Sequence, residues 1–359
     1  MKLLTIIGAR PQFIKAAAVS RAILETPGLE EILVHTGQHF DANMSEVFFE
    51  EMDIPKPDYN LNIHSLSHGA MTGRMLEEIE RILLKEQPDC VLVYGDTNST
   101  LAGALAAKKL QIKVAHVEAG LRSYNMRMPE EVNRILTDRI SDYLFCPTDG
   151  AVRNLEQEGF AHFPCRIEQV GDVMQDAALF YLPKSEQQST ILHDLGLQKG
   201  GFILTTIHRA ENTDEVGRLG QIVASLNRLA QDFDVVFPVH PRTRARLAEQ
   251  GLSSAVRTIE PVGYLDMIQL IAGSRLVITD SGGLQKEAYF FQKYCVTLRT
   301  ETEWVELVEH GFNRLSEPEP DMVMEAVQYF LGKTFPATSG LYGGGQASEA
   351  ICRILSEQV

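Results

Sequence analysis

The stretch HVEAGLRSYNMRMPEEVNR, residues 116–134, sets three carboxylates, Glu118, Glu130 and Glu131, among Arg122, Arg127 and Arg134. Glu118 follows an apolar run. Glu130 and Glu131 stand behind Pro129, a residue suited to the first turn of a helix, whose positive end favours acidic side chains. Carboxylates crowded in this way form either a salt-bridge lattice or acid/base machinery. Glu130 and Arg134, spaced i, i+4, would make an ordinary helix ion pair. A further acid, Asp96 in YGDTNST, follows the preceding apolar strand, with Ser99 or Thr100 able to cap the next helix. A helix-surface ion pair does not explain Asp96 and Glu118 together at adjacent strand ends.

The second half of the chain carries the complementary charge. IHRAEN puts His208 and Arg209 after one apolar strand, and VHPRT puts His240 and Arg242 after another. DSGGLQKEA puts Ser281, Gly282 and Gly283 before a helix. Small residues there let backbone N–H groups approach a phosphate, with the helix dipole behind them. Glu287, one turn in, is placed to take a ribose diol. Near the N-terminus GARPQFIK adds Arg10 and Lys15 around Pro11. Carboxylates thus gather in one half and phosphate ligands in the other, which fits a nucleotide-diphosphate sugar in an interdomain cleft, its nucleotide held by the C-terminal domain. No G-x-G-x-x-G follows a strand, so NAD is not expected. Neither HExxH nor a cysteine pair nor a dense His/Asp cluster suggests a metal, and no cofactor is expected.

Elements that would position these residues follow from the apolar pattern. LLTIIG, EILVHTG, CVLVYGD, KVAHVEAG and YLFCPT alternate with amphipathic stretches, and the alternation restarts at GFILTTIHRAEN and continues through DVVFPVHPRT, RLVITDSGG and YCVTLRTETEW. Short apolar runs each followed by a helix are the pattern of parallel βαβ units. At 359 residues the chain exceeds what one core usually serves, about 150 to 200 residues per domain. The fold class is therefore α/β, with two doubly wound Rossmann-like domains facing a cleft. The N-terminal domain is expected over 1–172 and the C-terminal, nucleotide-binding one over 173–342. YGGGQASEAICRIL reads as a glycine loop and a capped helix, 343–359, expected to pack back on the first domain. Residues 183–200 are polar and read as the connection.

A net charge of −15 argues against unspecific affinity for nucleic acid or acidic lipid. The opening MKLLTIIGARP has too short an apolar run for a signal peptide, and no stretch approaches the roughly 20 apolar residues of a membrane helix. Five scattered cysteines suit a reducing cytoplasm without disulfides.

GARPQFIK, HTGQHFD, GDTNST, HVEAGLRS…PEEVNR, HRAEN, HPRT, DSGGLQKEA and YGGGQAS, in order from residue 8 to about 350, together resemble the non-hydrolysing UDP-N-acetylglucosamine 2-epimerases. The resemblance implies the two-Rossmann-domain (GT-B type) architecture, a homodimer, and C2 epimerisation by elimination and re-addition of UDP. It implies that Asp96, Glu118 and Glu130 are the catalytic carboxylates and that His208 assists near the diphosphate. Arg10, Lys15, His240, Ser281, Gly282 and Glu287 fall on positions that hold UDP or the sugar, joined here by Arg242, Gly283 and Arg122. Allosteric members bind a second UDP-sugar through a segment that looks like Gln38–His39, with Asp41 here where glutamine is usual. The substrate is expected to be UDP-GlcNAc or UDP-2,3-diacetamido-2,3-dideoxy-glucuronate, the latter a precursor for O-antigen, whose C6 carboxylate wants a cation that Arg127 or Arg299 could supply. A hydrolysing epimerase would release UDP and free N-acetylmannosamine. A retaining glycosyltransferase of this fold would not need GDTNST and HVEAGLRS…PEE together.

Overall fold

A computed structural model describes residues 1–38, 55–336 and 340–357 of the chain. Two compact units are present, Met1–Ala177 with Gly340–Val359, and Ala178–Ser339. The first holds a seven-stranded parallel sheet: β1 (Lys2–Ile7), β2 (Glu30–His35), β3 (Tyr59–Asn60), β4 (Cys90–Tyr94), β5 (Lys113–Val117), β6 (Tyr143–Cys146) and β7 (Arg166–Gln169). Their spatial order is β3-β2-β1-β4-β5-β6-β7. The second unit holds β8 (Phe202–Thr206), β9 (Asp234–Pro238), β10 (Arg257–Ile259), β11 (Leu276–Thr279), β12 (Cys295–Thr297) and β13 (Asn313–Leu315), in the order β10-β9-β8-β11-β12-β13. Both sheets are doubly wound, and their strand order reverses where β1 meets β4 and where β8 meets β11. Ligands of such sheets sit beyond the strand carboxyl ends at that reversal.

The central strands form where the sequence is continuously apolar because helices cover both of their faces. In the first unit Leu4, Ile6, Val91, Val93 and Val114 are buried against Met75, Ile79 and Leu83. In the second, Ile203, Val235, Ile278 and Val296 are buried with Ile222, Leu226, Val323 and Val327. Each such side chain contributes about 1.5–3 kcal/mol relative to exposure.

The polar connection expected over 183–200 is instead largely helical. Helix Val173–Gln188 runs through Pro183, and a short helix, Ile191–Asp194, follows. Pro183 removes one intrahelical donor, but Tyr181 and Ser185 are fully buried. The Gln269 amide donates to Ser185 Oγ at 2.7 Å, so packing holds a helix that local preference would break. The chain passes from one unit to the other within this helix. Helix Ala347–Ser356 returns to the first unit and packs on helix Arg10–Glu25. Its first N–H groups, of Ala347 and Ser348, donate to the Asp176 carboxylate at 3.2 and 2.6 Å. All five cysteines are free thiols, and no described helix is long and apolar enough to cross a membrane.

Candidate active site

In the first unit the segments after β1, β4 and β5 carry the candidate residues Lys15, Asp96 and Glu118. Helix Arg10–Glu25 opens with Pro11 in its first turn. Gln12 locks this opening: its Oε1 accepts from the Gly8 and Ala9 N–H groups at 2.8 and 3.0 Å, and its amide donates to Tyr94 O at 2.8 Å. The β1 loop is thereby tied to the end of β4, and one turn on Lys15 forms an ion pair with Glu118. Both side chains are about nine-tenths buried. Glu118 holds a left-handed backbone, φ 72°, an uncommon state for a residue with a side chain and one found at functional sites. It persists because the N–H groups of Glu118 and Ala119 both donate to Phe145 O, at 3.1 and 3.0 Å.

Asp96 pairs with Arg134, and Arg134 also donates to Glu131 Oε2 at 3.0 Å. Burial pulls the Arg134 guanidinium down, yet Asp96, Glu131 and Glu118 outweigh it and leave it more basic than usual. Its field therefore joins the three acids. The lattice and the acid cluster of residues 116–134 are thus one object, with a correction in its membership. Arg134 takes Glu131 at i, i+3, not Glu130 at i, i+4. Glu131 is fully buried, and its carboxylate also accepts from the Ser123 and Tyr124 N–H groups, the latter at 2.8 Å. Glu130 is exposed beside it.

Arg122 is not an open ligand. Its buried guanidinium is spent on the exposed Glu158 carboxylate at 2.6 and 2.8 Å, on buried Asp138 at 2.7 Å and on Leu121 O at 2.7 Å. Buried charges persist when paired this way, so the structure gives Arg122 a load-sharing role inside the unit rather than the expected contact with substrate.

In the second unit Asp280, at the end of β11 and fully buried, organises the site. It accepts from the N–H groups of His208 at 3.1 Å and Arg209 at 3.0 Å and from the Asn212 amide at 3.0 Å. The β8 loop is thus wrapped on the strand across the reversal. His208 Nδ1 lies 3.6 Å from Asp280, and its ring centroid is 6.4 Å from that of His240. Burial pushes His208 below the usual histidine range; Asp280 opposes this, while Arg209 and His240 add to it. These surroundings favour the neutral ring over the charged one.

Ser281 caps helix Gly282–Phe290. A Cβ on Gly282 would lie 2.1 Å from Glu303 Oε1, so a larger residue there requires the Glu303 side chain to move. Glu303 pairs with Arg299 at 2.9 Å and Arg209 at 3.7 Å. Burial raises its carboxyl, but the two arginines more than offset that and hold it below the ordinary range. Arg299 is buried and committed to Glu303, with Glu211 at 3.7 Å. Gly283 has open space where a side chain would stand, and Glu287 is buried on the same helix. Arg242 turns to Asp214 at 2.6 Å on an exposed face, while its N–H is capped by the His240 ring at 3.3 Å. The side chain of Arg10, and His39 and Asp41, lie outside the described residues.

Sequence reasoning passed over Gln12, Asp138 and Asp280, and named Glu131 among the crowded carboxylates without giving it a role of its own. Only Asp280 carried a signal, as an acid between an apolar strand and a Ser-Gly-Gly helix start.

Two parallel Rossmann-like units, one with acids and one with cations and a glycine-opened helix at the sheet reversal, define the class of nucleotide-sugar enzymes with GT-B type architecture. Comparison with known proteins narrows this. The profile of the family described as UDP-N-acetylglucosamine 2-epimerase matches residues 21–356. The chain is 59% identical over 359 residues to the UDP-2,3-diacetamido-2,3-dideoxy-D-glucuronate 2-epimerase of Pseudomonas aeruginosa, covering 99% of this chain and 100% of that protein. It is 45% identical to the UDP-N-acetylglucosamine 2-epimerase of Methanocaldococcus jannaschii, over 99% of each. A crystal structure of the M. jannaschii UDP-GlcNAc 2-epimerase with UDP-GlcNAc and UDP superimposes with a TM-score of 0.89 at 44% identity, covering 99% of this chain and 100% of that one. The Neisseria meningitidis UDP-GlcNAc 2-epimerase bound to UDP-GlcNAc gives 0.89 at 32% identity, with the same coverage. The chain belongs to the UDP-N-acetylglucosamine 2-epimerase family, whose members are isomerases acting on UDP-sugars.

Proposed function

We propose that this chain epimerises UDP-2,3-diacetamido-2,3-dideoxy-D-glucuronate at C2, without hydrolysis, to its manno epimer. The observation that carries the choice of sugar is the 59% identity along the whole chain to the P. aeruginosa enzyme of that name. UDP-GlcNAc is the second reading, favoured by the 45% identity to the M. jannaschii enzyme and the TM-score of 0.89.

The hydrogen on C2 of such a sugar is not α to a carbonyl, so removing it requires that the C1–O bond to UDP break in the same process. The electron pair of the C2–H bond then forms a C1=C2 double bond, and the bond pair to UDP leaves with the diphosphate. Inversion follows when a proton is delivered to the opposite face of C2 and UDP re-adds at C1. Both faces therefore need an acid or base. Asp96, Glu118 and Glu130 are the candidates, supported by the Lys15–Glu118 and Arg134–Asp96 pairs at the first reversal point. The negative charge arriving on UDP is met by His208, Arg209, His240 and the Ser281–Gly283 helix start, while Glu287 takes the ribose.

The same reading includes a homodimer in the cytoplasm, serving O-antigen, lipopolysaccharide or other cell-surface polysaccharide synthesis, and here it rests on the family likeness. The test is incubation with each of the two UDP-sugars in D2O without added NAD or metal. The true substrate gains deuterium at C2 in both epimers with UDP retained on the sugar. Recovered epimer without solvent deuterium defeats the elimination route, and turnover of UDP-GlcNAc alone defeats the choice of glucuronate.

A further inference from the structure

Buried His116, Asp138 and Arg122 form a polar chain that reaches the surface at Glu158, and no chemical step of the epimerisation draws on it. His116 and Asp138 are both wholly inaccessible to solvent. His116 Nδ1 lies 2.6 Å from Asp138 Oδ1, and its Nε2 lies 2.7 Å from Gly95 O. A peptide carbonyl only accepts, so Nε2 carries a hydrogen. The second oxygen of Asp138 accepts from the Gly120 N–H at 3.1 Å and from Arg122 at 2.7 Å, and the carboxyl itself lies below the ordinary range: burial raises it, but His116 and Arg122 outweigh burial. His116 thus bridges the Gly95 carbonyl and the Asp138 carboxyl through its two ring nitrogens.

What the two ring nitrogens grip decides the consequence. Gly95 has φ 62°, and the side of its α-carbon where a Cβ would stand is 3.3 Å from Glu118 Oε2 and 3.4 Å from Lys15 Nζ. Its carbonyl belongs to the peptide leading into Asp96, and its N–H donates to Val117 O at 3.0 Å. Gly120, held by Asp138, ends the left-handed turn begun at Glu118. The His116–Asp138 pair thus joins the loop of Asp96 to the loop of Glu118 through two hydrogen bonds to their backbones.

We infer that His116 is a positioning residue for the epimerisation, a ring held between Gly95 O and the Asp138 carboxyl that sets the spacing of Asp96 and Glu118 while itself touching no substrate. The inference rests on the reading of those two acids as catalytic. Ordering a pair of acid/base groups matters because proton transfer falls steeply with misplacement, and a displacement of about 1 Å can cost about 10²-fold.

The test uses two variants that each keep one of the two bonds. His116→Gln places an amide where Nε2 stood and keeps the bond to Gly95 O; His116→Asn places one where Nδ1 stood and keeps the bond to Asp138. His116→Gln is expected to stay within about tenfold of wild-type kcat, while His116→Asn loses about 10²-fold in kcat with KM little changed. A purely structural histidine predicts instead that both variants lower Tm alike and that the folded fraction turns over normally, which overturns the inference. If neither variant folds, nitrogen NMR of 15N-histidine wild-type enzyme decides: a protonated Nε2 on His116 supports the grip on the Gly95 carbonyl and an unprotonated one overturns it. A wild-type enzyme that epimerises no UDP-sugar refutes the proposed function, whereas active wild-type with fully active His116→Asn refutes only this inference.

Discussion

Replacing Gly282 with valine probes the diphosphate grip at one atom. The new Cβ would stand 2.1 Å from Glu303 Oε1 and 3.7 Å from an Arg209 nitrogen, where an ordinary contact needs well over 3 Å. Glu303 must swing away, and its 2.9 Å bond with Arg299 opens. Gly282 is not among the residues with positive φ, so the substitution imposes no backbone strain. In the first helical turn it removes the entropic cost of glycine, at most about 1 kcal/mol. Against that stands one strained, partly exposed charged contact, so folding stability should move by no more than about 1–2 kcal/mol. UDP affinity should fall further, because the branched side chain keeps a phosphate from the helix N–H groups. Losing one charge-assisted hydrogen bond, about 1.5–3 kcal/mol, weakens Kd by roughly 10- to 150-fold. Isothermal titration with UDP reads the affinity. Trp304, the single tryptophan, is buried next to Glu303 with the Lys286 ammonium 3.8 Å over its ring, so its emission reports whether the loop has moved. Wild-type UDP affinity in a folded variant would falsify the assignment of this loop to the diphosphate.

Three further outcomes can be checked. Asp96→Asn, Glu118→Gln and Glu130→Gln should each bind UDP nearly normally yet lose about 10²-fold or more in kcat, about 3 kcal/mol in the barrier; normal turnover by all three in the D2O assay would return these acids to structural duty. Arg122→Ala strands the buried Asp138 carboxylate and should destabilise the first unit by about 3–5 kcal/mol in urea unfolding while UDP affinity holds, and lost affinity in the folded variant would restore Arg122 to the substrate. His208 lies below its ordinary value of 6.5 in the folded chain, so between the folded value and 6.5 the unfolded chain binds more protons. Its linkage term therefore weakens folding as pH drops through that window and vanishes above it. A diphosphate beside the ring would raise its pKa, so UDP binding just below neutrality should take up protons. Titration heats that are independent of buffer ionisation enthalpy would show that His208 does not meet the phosphate.

The alternating apolar runs determined the two parallel sheets. β1, β4, β5, β8 and β11 are covered on both faces, so their residues had to be apolar and their ends could be read from the sequence. The edge strands Tyr59–Asn60, Arg166–Gln169, Arg257–Ile259 and Asn313–Leu315 carry no such signal, because their pairing is made by backbone groups and their side chains are largely half-buried or exposed. The helix across Pro183 was likewise invisible, since contacts from residues far along the chain hold it. For the site, residue type and loop position were enough to nominate Asp96, Glu118, His208 and the Ser-Gly-Gly helix start, because a doubly wound sheet exposes ligand groups at strand carboxyl ends. Partnership was not legible. Whether Glu130 or Glu131 meets Arg134 depends on a turn of about 100° between neighbouring helical residues relative to a loop thirty-odd positions earlier. Whether Arg122 faces a ligand or is consumed by protein partners depends on Asp138 arriving from one helix and Glu158 from the end of the next. Charge pairing falls off within a few ångströms, so it is settled only when tertiary structure sets the distances.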